Sequence, residues 1–388
     1  MDRATSMRSE GAEHMAADSL HLIARGSWHP AIRREQSLSQ AAAAAGIGVR
    51  FIAPRGDQPR SPAARLLHPD GETRMIGSIT VVERGLELPS HRSDVIGGVN
   101  SHLIRRVLRP QRCEGTVVTY RPWEWAASRG APRRVFDCVD DWPALLPDSA
   151  PLIRRWLGRI ADEADEVVVV TEELADLFRG REVHVVPNAV DDHLLVPPVR
   201  PAPGNRRLLY LGSIGHRRLD LALIDALLSA LPDWRLDLVG PSFLEDQSPT
   251  LVEIRRLEGR YEGRLRLLPA VDGRGVVEVI DDCDLMIAPF LPGVTSGQSS
   301  KKSFDAAARG RAIITSPGVS LGLDDVPPDQ RVADGLDEWI EAIKRGPSTT
   351  EVMTRTRSWA QANSWSARFD EWAQLAMDLP RHPPAGEG

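Results

Sequence analysis

Residues 297–305 read GQSSKKSFD, and their paired lysines are unusual because lysine occurs in this chain only at Lys301, Lys302 and Lys344. Arginine supplies the rest of the 48 basic side chains. Such a bias fits a GC-rich genome, so a retained lysine pair is either chance or a place where arginine serves poorly. Arginine is a planar fork, whereas lysine is a compact point charge on a flexible stem. Phosphate held in a tight loop suits the point charge. The flanking FLPGVTSGQSS is turn-rich, Ser299 or Ser300 is a plausible N-cap, and KKSFDAAARG predicts a short helix closed by Gly310. Cations at a helix N-terminus oppose the macrodipole at about 0.3–1 kcal/mol each. Lys301 ahead of Asp305 is also the weaker order for an i,i+4 pair. An anion site wants this arrangement: free loop N–H groups, a helix N-terminus and two ammonium groups. The competing reading is a solvated basic face.

Elements of alternating type must position this loop. LHLIA (20–24) is an apolar run, followed by the helical PAIRREQSLSQAAAAAG (30–46) and by VRFIA (49–53). TVVTY (116–120), RVFDCV (134–139), the helix-like 150–165, VVVVT (167–171) and VHVVP (183–187) continue the pattern. Uniformly apolar short strands between amphipathic helices predict parallel sheets covered on both faces. PPVRPAPGNR (197–206) then interrupts with linker composition. The alternation restarts with RLLYLG (207–212), a helix at 219–232, RLDLVG (235–240), RLRLLP (264–269), DLMIAP (284–289) and RAIITS (311–316). The expected organisation is a disordered leader at 1–18, a first Rossmann-like domain at 19–196 and a linker at 197–206. A second such domain follows at 207–360, then a helix at 361–378 and a polar tail at 379–388. The fold class is therefore α/β, with ligands expected in a cleft at the carboxyl ends of both sheets.

Composition sets limits on function. The chain has 388 residues, 42% of them apolar, an ordinary globular composition, and its formal charge of −6 argues against a dedicated nucleic-acid binder. Its three cysteines, Cys113, Cys138 and Cys283, lack metal-ligand spacing and read as reduced thiols of a cytoplasmic protein. No apolar run approaches a membrane span. No strand ends in a Gly-x-Gly-x-x-Gly turn, which weakens a dehydrogenase reading.

With these pieces in order, the chain resembles GT-B glycosyltransferases, specifically retaining family 4, and most closely the teichuronic-acid-biosynthesis type. The resemblance rests on VVVVTEELADLF…VHVVPNAVD, LYLGSIGHRRLDLALIDALL, DLMIAPF…KKSFDAAARGRAIITS, NSWSARFDEW and VFDCVDDWPALLP, over roughly residues 20–375. Departures are Asp305 at the second of two usual glutamates, Gly297 at the first, and Ser213 in one of two usual basic positions. The resemblance implies two Rossmann-like domains facing across a cleft. It implies transfer from a nucleotide-sugar donor, a UDP-sugar being favoured, without a bound metal or cofactor. Arg218, Lys302, Ser299 and Ser300 would then hold the donor diphosphate, with His216 and Arg217 nearby, and Asp305 would accept bonds from the ribose. Lys301 would be a solvated neighbour.

Acceptor chemistry would belong to the first domain. DCVDDW ends one strand with Asp140, Asp141 and Trp142, and YRPWEW ends the preceding one with Trp123 and Glu124. Carboxylates beside tryptophan suit a sugar, whose hydroxyls want acceptors and whose apolar face packs on a ring. Either Asp140 or Glu124 is placed to deprotonate the acceptor, unless the donor's own phosphate takes that proton; His29 is a third candidate. Capping acids and core tryptophans are the plain alternative. The acceptor would be a glycan, a lipid-linked glycan or a small hydroxylated molecule. The basic helix VNSHLIRRVLRPQR (99–112) is either ordinary surface or a peripheral contact with anionic membrane. Competing functions are a nucleotide-sugar epimerase of the same layout and a non-catalytic scaffold.

Overall fold

The computed structural model describes residues 19–28, 33–54, 72–84, 88, 90–109, 114–197, 199–215, 218–241, 247–293 and 299–379. His29, Cys113, His216, Arg217 and Gly297 lie outside the described residues, as do the expected leader and nearly all of the tail. By contacts the chain divides into two units: one runs to Pro187 and resumes at Arg368, and the other spans Asn188–Ala367. The sequence placed that first boundary at residue 196. Residues 188–196, expected in the first domain, group by contacts with the second unit.

In the first unit an eight-stranded sheet has the order β3-β4-β2-β1-β5-β6-β7-β8. Its central strands are β1 (Ser19–Ile23), β2 (Gly48–Pro54), β5 (Thr116–Thr119), β6 (Arg133–Cys138) and β7 (Glu166–Val169), with β8 (His184–Val185) at one edge. They pair in parallel and bury almost every apolar side chain, as their unbroken apolar runs predict. At the other edge β3 (Thr73–Ile76) turns through a tight hairpin into β4 (Ile79–Arg84) and runs antiparallel to it. The sequence reading lacked this hairpin, and β3 is mostly exposed, so it carries little apolar signal. Helix α1 (Arg34–Ala44) follows β1, α2 (Asp94–Leu108) follows β4, and α3 (Ala150–Glu163) lies between β6 and β7. Helix α3 buries Ile153, Trp156, Leu157 and Ile160, the i, i+3, i+4, i+7 stripe of an amphipathic helix.

The second unit holds a fully parallel six-stranded sheet ordered β11-β10-β9-β12-β13-β14. Its strands are β9 (Arg207–Leu211), β10 (Arg235–Val239), β11 (Leu265–Leu268), β12 (Leu285–Ala288), β13 (Ala312–Thr315) and β14 (Gln330–Val332). Helices α4 (Leu221–Ala230), α5 (Pro249–Arg260), α6 (Gly273–Asp281), α7 (Lys301–Ala308), α8 (Leu336–Lys344) and α9 (Thr350–Ala362) complete it.

Helix α10 (Trp365–Met377) ends the described chain, and from Arg368 onward it belongs to the first unit. Within that unit Arg133 donates to the carbonyls of Leu375 and Ala376 at 2.9 and 2.8 Å. A guanidinium there satisfies free carbonyls and offsets the negative helix end. Trp372 and Ala376 are fully buried and Phe369 nearly so.

Candidate functional site

Chain direction fixes where the second unit can bind a ligand. After β9 the chain builds β10 and β11 on one side, then returns to place β12 on the other. Such a topological switch leaves a crevice at the carboxyl ends of the two central strands, where open α/β sheets bind ligands. Gly212 follows β9 and Phe290 follows β12. Helix α7 points its Lys302 side chain into this place: Nζ lies 5.0 Å from the Tyr210 ring centre and 5.1 Å from that of Phe290. A Cβ on Gly212 would lie 2.7 Å from that nitrogen, and the residue's φ of 145° suits glycine alone. Among the described residues Lys302 makes no ion pair. Burial pushes its pKa down to about 7; Arg218 and Lys301 act the same way, and Asp305 opposes them. Arg218 lies 5.7 Å from the centre of the Phe290 ring. Tyr210 is itself fixed, donating its hydroxyl to the Ser213 carbonyl at 2.9 Å.

Lys301 has the opposite environment and corrects the expectation of a solvated neighbour. Its Nζ sits 2.6 Å from Asp191 Oδ2 and 2.6 Å from Asp305 Oδ1. Asp191 and Asp305 are buried, with 3% and 9% of their side chains exposed. Two carboxylates hold this ammonium firmly protonated against its burial. Asp305 pairs with a lysine here, and the lysine is Lys301. His193 belongs to the same network, and burial pushes its pKa down. Ser300 is the N-cap residue of α7 but makes no capping bond through its side chain. Ser299 is occupied, donating to the Leu321 carbonyl at 2.8 Å. Asn188 donates to the Ser299 carbonyl at 3.0 Å and ties the Asn188–Asp191 stretch to the start of α7.

The first unit has its own switch point, between β1 and β5. Arg25, just beyond β1, reaches Glu35 at 3.1 Å and Asp140 at 2.7 Å. Asp140 remains partly exposed. Glu124 is fully buried, 2.8 Å from Arg84 and 3.4 Å from Arg121. With its Oε1 taken by two guanidinium groups and its side chain buried, Glu124 stands here as an ion-pairing acid rather than an exposed carboxylate. Trp123 and Trp142 are likewise buried, 8% and 9% exposed, and pack edge to face with centroids 5.1 Å apart. Trp142 also donates to the Tyr120 carbonyl at 3.1 Å. These rings are core, which corrects the expectation of sugar-stacking platforms. Asp141 caps a one-turn helix, accepting from the Ala144 N–H at 3.0 Å. Among the described residues no group of three or more His, Cys, Asp or Glu could hold a metal ion. Nor is any described helix long and apolar enough to cross a membrane.

Solved structures match this chain along nearly its whole length. A sucrose-phosphate synthase of Thermosynechococcus elongatus aligns with a TM-score of 0.71 at 16% identity, covering 92% of this chain and 98% of its own. Anabaena HepE, in complex with UDP and glucose, aligns at 0.65 and 14%, covering 92% and 98%. An alpha,alpha-trehalose-phosphate synthase (UDP-forming) from Burkholderia xenovorans, in complex with glucose-6-phosphate, aligns at 0.65 and 12%, covering 92% and 99%. The fold is GT-B. No family model and no curated protein matches the sequence.

Within this GT-B chain, sequence reasoning missed Asp191 as the second partner of Lys301. It also missed the arginines Arg25, Arg33 and Arg84 at the edge of the first sheet. The surplus of arginine along the chain hid these few, because nothing local separates a buried guanidinium from a solvated one. For Asp191 a signal existed: PNAVD was already singled out for its resemblance, but its lysine partner lies in a distant segment.

Proposed function

We propose that the protein is a glycosyltransferase that takes a sugar from a nucleoside-diphosphate donor, UDP being favoured, and transfers it to a hydroxyl with retention. The observation that carries this reading is Lys302, an ammonium without an ion-pair partner among the described residues, held over two aromatic rings at a switch point. A diphosphate supplies the counter-charge that this position lacks. Lys302 and Arg218 would stabilise the charge that develops on the leaving diphosphate, the term that usually dominates catalysis of this kind. The hydroxyl of Ser300 and the start of α7 would add donors to the same oxygens. The Lys301–Asp191–Asp305 network fixes α7, and so aims Lys302. Asp140 is the remaining candidate for drawing the proton from the acceptor hydroxyl.

The solved structures with UDP and a sugar ligand support a nucleotide-sugar donor, and the GT-B fold supports transfer. On helix α2 the exposed Val95 and Val99 share an outer face with Arg106, which suits peripheral contact if the acceptor is borne on a lipid. The test is to incubate the full chain with UDP-, GDP-, ADP- and dTDP-sugars and follow release of the nucleoside diphosphate. Slow release from a UDP-sugar, accelerated by an acceptor, is expected. An epimerised sugar formed from the donor alone would replace transfer with epimerisation, and nucleotide binding without any turnover would make the protein a scaffold.

A further inference from the structure

Three arginines meet at the carboxyl edge of the first unit's sheet, and one is left over. Arg25 is engaged by Glu35 and Asp140 at 3.1 and 2.7 Å. Arg121 sits 3.4 Å from Glu124, whose carboxylate also takes Arg84 at 2.8 Å, and it donates to the carbonyl of Arg25. Arg33, immediately before α1, forms no ion pair among the described residues. It is half-buried and feels the charges of both Arg25 and Arg121. Burial and these two like charges push its pKa down, against the pull of Glu35 and Asp140.

Its position is also specific. A Cβ on Gly26 would fall 1.8 Å from Arg33 Nη1, so the guanidinium end of Arg33 lies close against the Gly26 backbone. A half-buried cation with two other guanidinium groups nearby, and no ion pair of its own among the described residues, is placed to receive an anion. The two N–H donors of an arginine fork match a pair of oxygens on a carboxylate or a phosphate. The surrounding acids do not meet this need, because Arg25 holds Glu35 and Asp140 while Arg84 and Arg121 hold Glu124.

We infer that this edge is an oxyanion subsite and that the acceptor of the transfer carries a phosphate or carboxylate, gripped by Arg33 with Arg121 beside it. The word acceptor rests on the transferase reading; the anion subsite itself does not. The oxyanion would enter at the switch point between β1 and β5, beside Asp140, so the anionic group and the reacting hydroxyl would belong to one small molecule.

The experiment is calorimetric titration of the full chain with glucose, glucose 6-phosphate and glucuronate, the last two distinguishing phosphate from carboxylate. At least one anionic sugar should bind ten times or more tightly than glucose. Arg33→Ala should weaken that sugar about 10- to 150-fold, the range for losing a charged hydrogen bond. Arg33→Lys should recover only part. UDP titrated into the same variants should bind as in the wild type, which separates this subsite from the donor site. If neither anionic sugar outbinds glucose in the unmodified protein, the subsite is overturned whatever the variants do. Equal binding by folded Arg33→Ala overturns it as well. Failure of UDP to bind, with the anionic sugar still held by Arg33, would leave the subsite standing and remove the transferase reading.

Discussion

Lys301 and Lys302 are neighbours in the chain, yet one lies 2.6 Å from each of two carboxylates and the other lies 5.0 Å from the centre of a tyrosine ring. Successive helical residues point about 100° apart, which sends one ammonium into the Asp191–Asp305 pair and the other to the end of β9. The doubled lysine thus has two environments: Lys301 is held by carboxylates, and Lys302 is the lysine proposed to meet the ligand.

Lys301→Ala should therefore destabilise the second unit. It leaves two buried carboxylates facing each other without a cation, a change of about 3–5 kcal/mol for a buried pair. The lower end is expected, since the lysine side chain is 31% exposed. Urea unfolding of the variant against the wild type measures this. An unchanged midpoint would return Lys301 to the solvated role that its sequence suggested.

Donor binding should take up a proton above neutral pH. Burial holds Lys302 down to about 7, so in the free protein it is largely neutral at pH 8.5. Between that value and the ordinary lysine range the unfolded chain holds a proton that the folded one lacks. Stability of the free protein therefore rises with pH through that window as far as this group is concerned. A bound diphosphate favours the ammonium and draws the proton back. Calorimetry of UDP binding at pH 8.5, in two buffers of different ionisation enthalpy, should show uptake approaching one proton. Uptake should shrink near pH 6 and vanish in Lys302→Ala. No uptake at pH 8.5 would mean that the ammonium does not meet the diphosphate.

Asp140 and Glu124 should part company on mutation. Glu124 is enclosed by Arg84 and Arg121, so Glu124→Ala should lower the melting temperature by several degrees as buried guanidinium groups lose their partner. Asp140→Asn keeps an oxygen that can accept from Arg25, and Glu35 still pairs with that guanidinium, so the variant should lower melting less than Glu124→Ala does. If Asp140 draws the acceptor proton, its turnover should still fall about 10²- to 10⁴-fold. Normal turnover in Asp140→Asn would point to the donor's own phosphate as the base.

The C-terminal helix should be indispensable to the fold. Removing residues 364–388 strips Phe369, Trp372 and Ala376 from the first unit's core and leaves Arg133 without the carbonyls it caps. Size-exclusion chromatography should find aggregated protein. A monodisperse truncated chain would contradict this.

The strands were legible because parallel strands buried on both faces must be apolar throughout, as VVVVT and DLMIAP are. The β3–β4 hairpin was not, since an exposed edge strand carries polar residues that resemble loop. The lysine pair was legible as a local oddity, but its division of labour was not. Asp191 and Tyr210 come from distant segments, and only the fold brings them to α7. The tryptophans misled for a related reason: Trp123 and Trp142 do stand at strand ends beside acids, but their rings turn inward to one another. The Arg25–Asp140 pair spans 115 positions, beyond any local pattern.

The central claim is that Lys302 meets a nucleoside diphosphate at the switch point between β9 and β12. Its most direct test is the dissociation constant of UDP at pH 6.5, where the ammonium is mostly charged, for the wild type and Lys302→Ala. Loss of a charge-assisted bond of about 1.5–3 kcal/mol predicts binding about 10- to 150-fold weaker in the variant, with melting essentially preserved. Equal dissociation constants for the two proteins would contradict the claim.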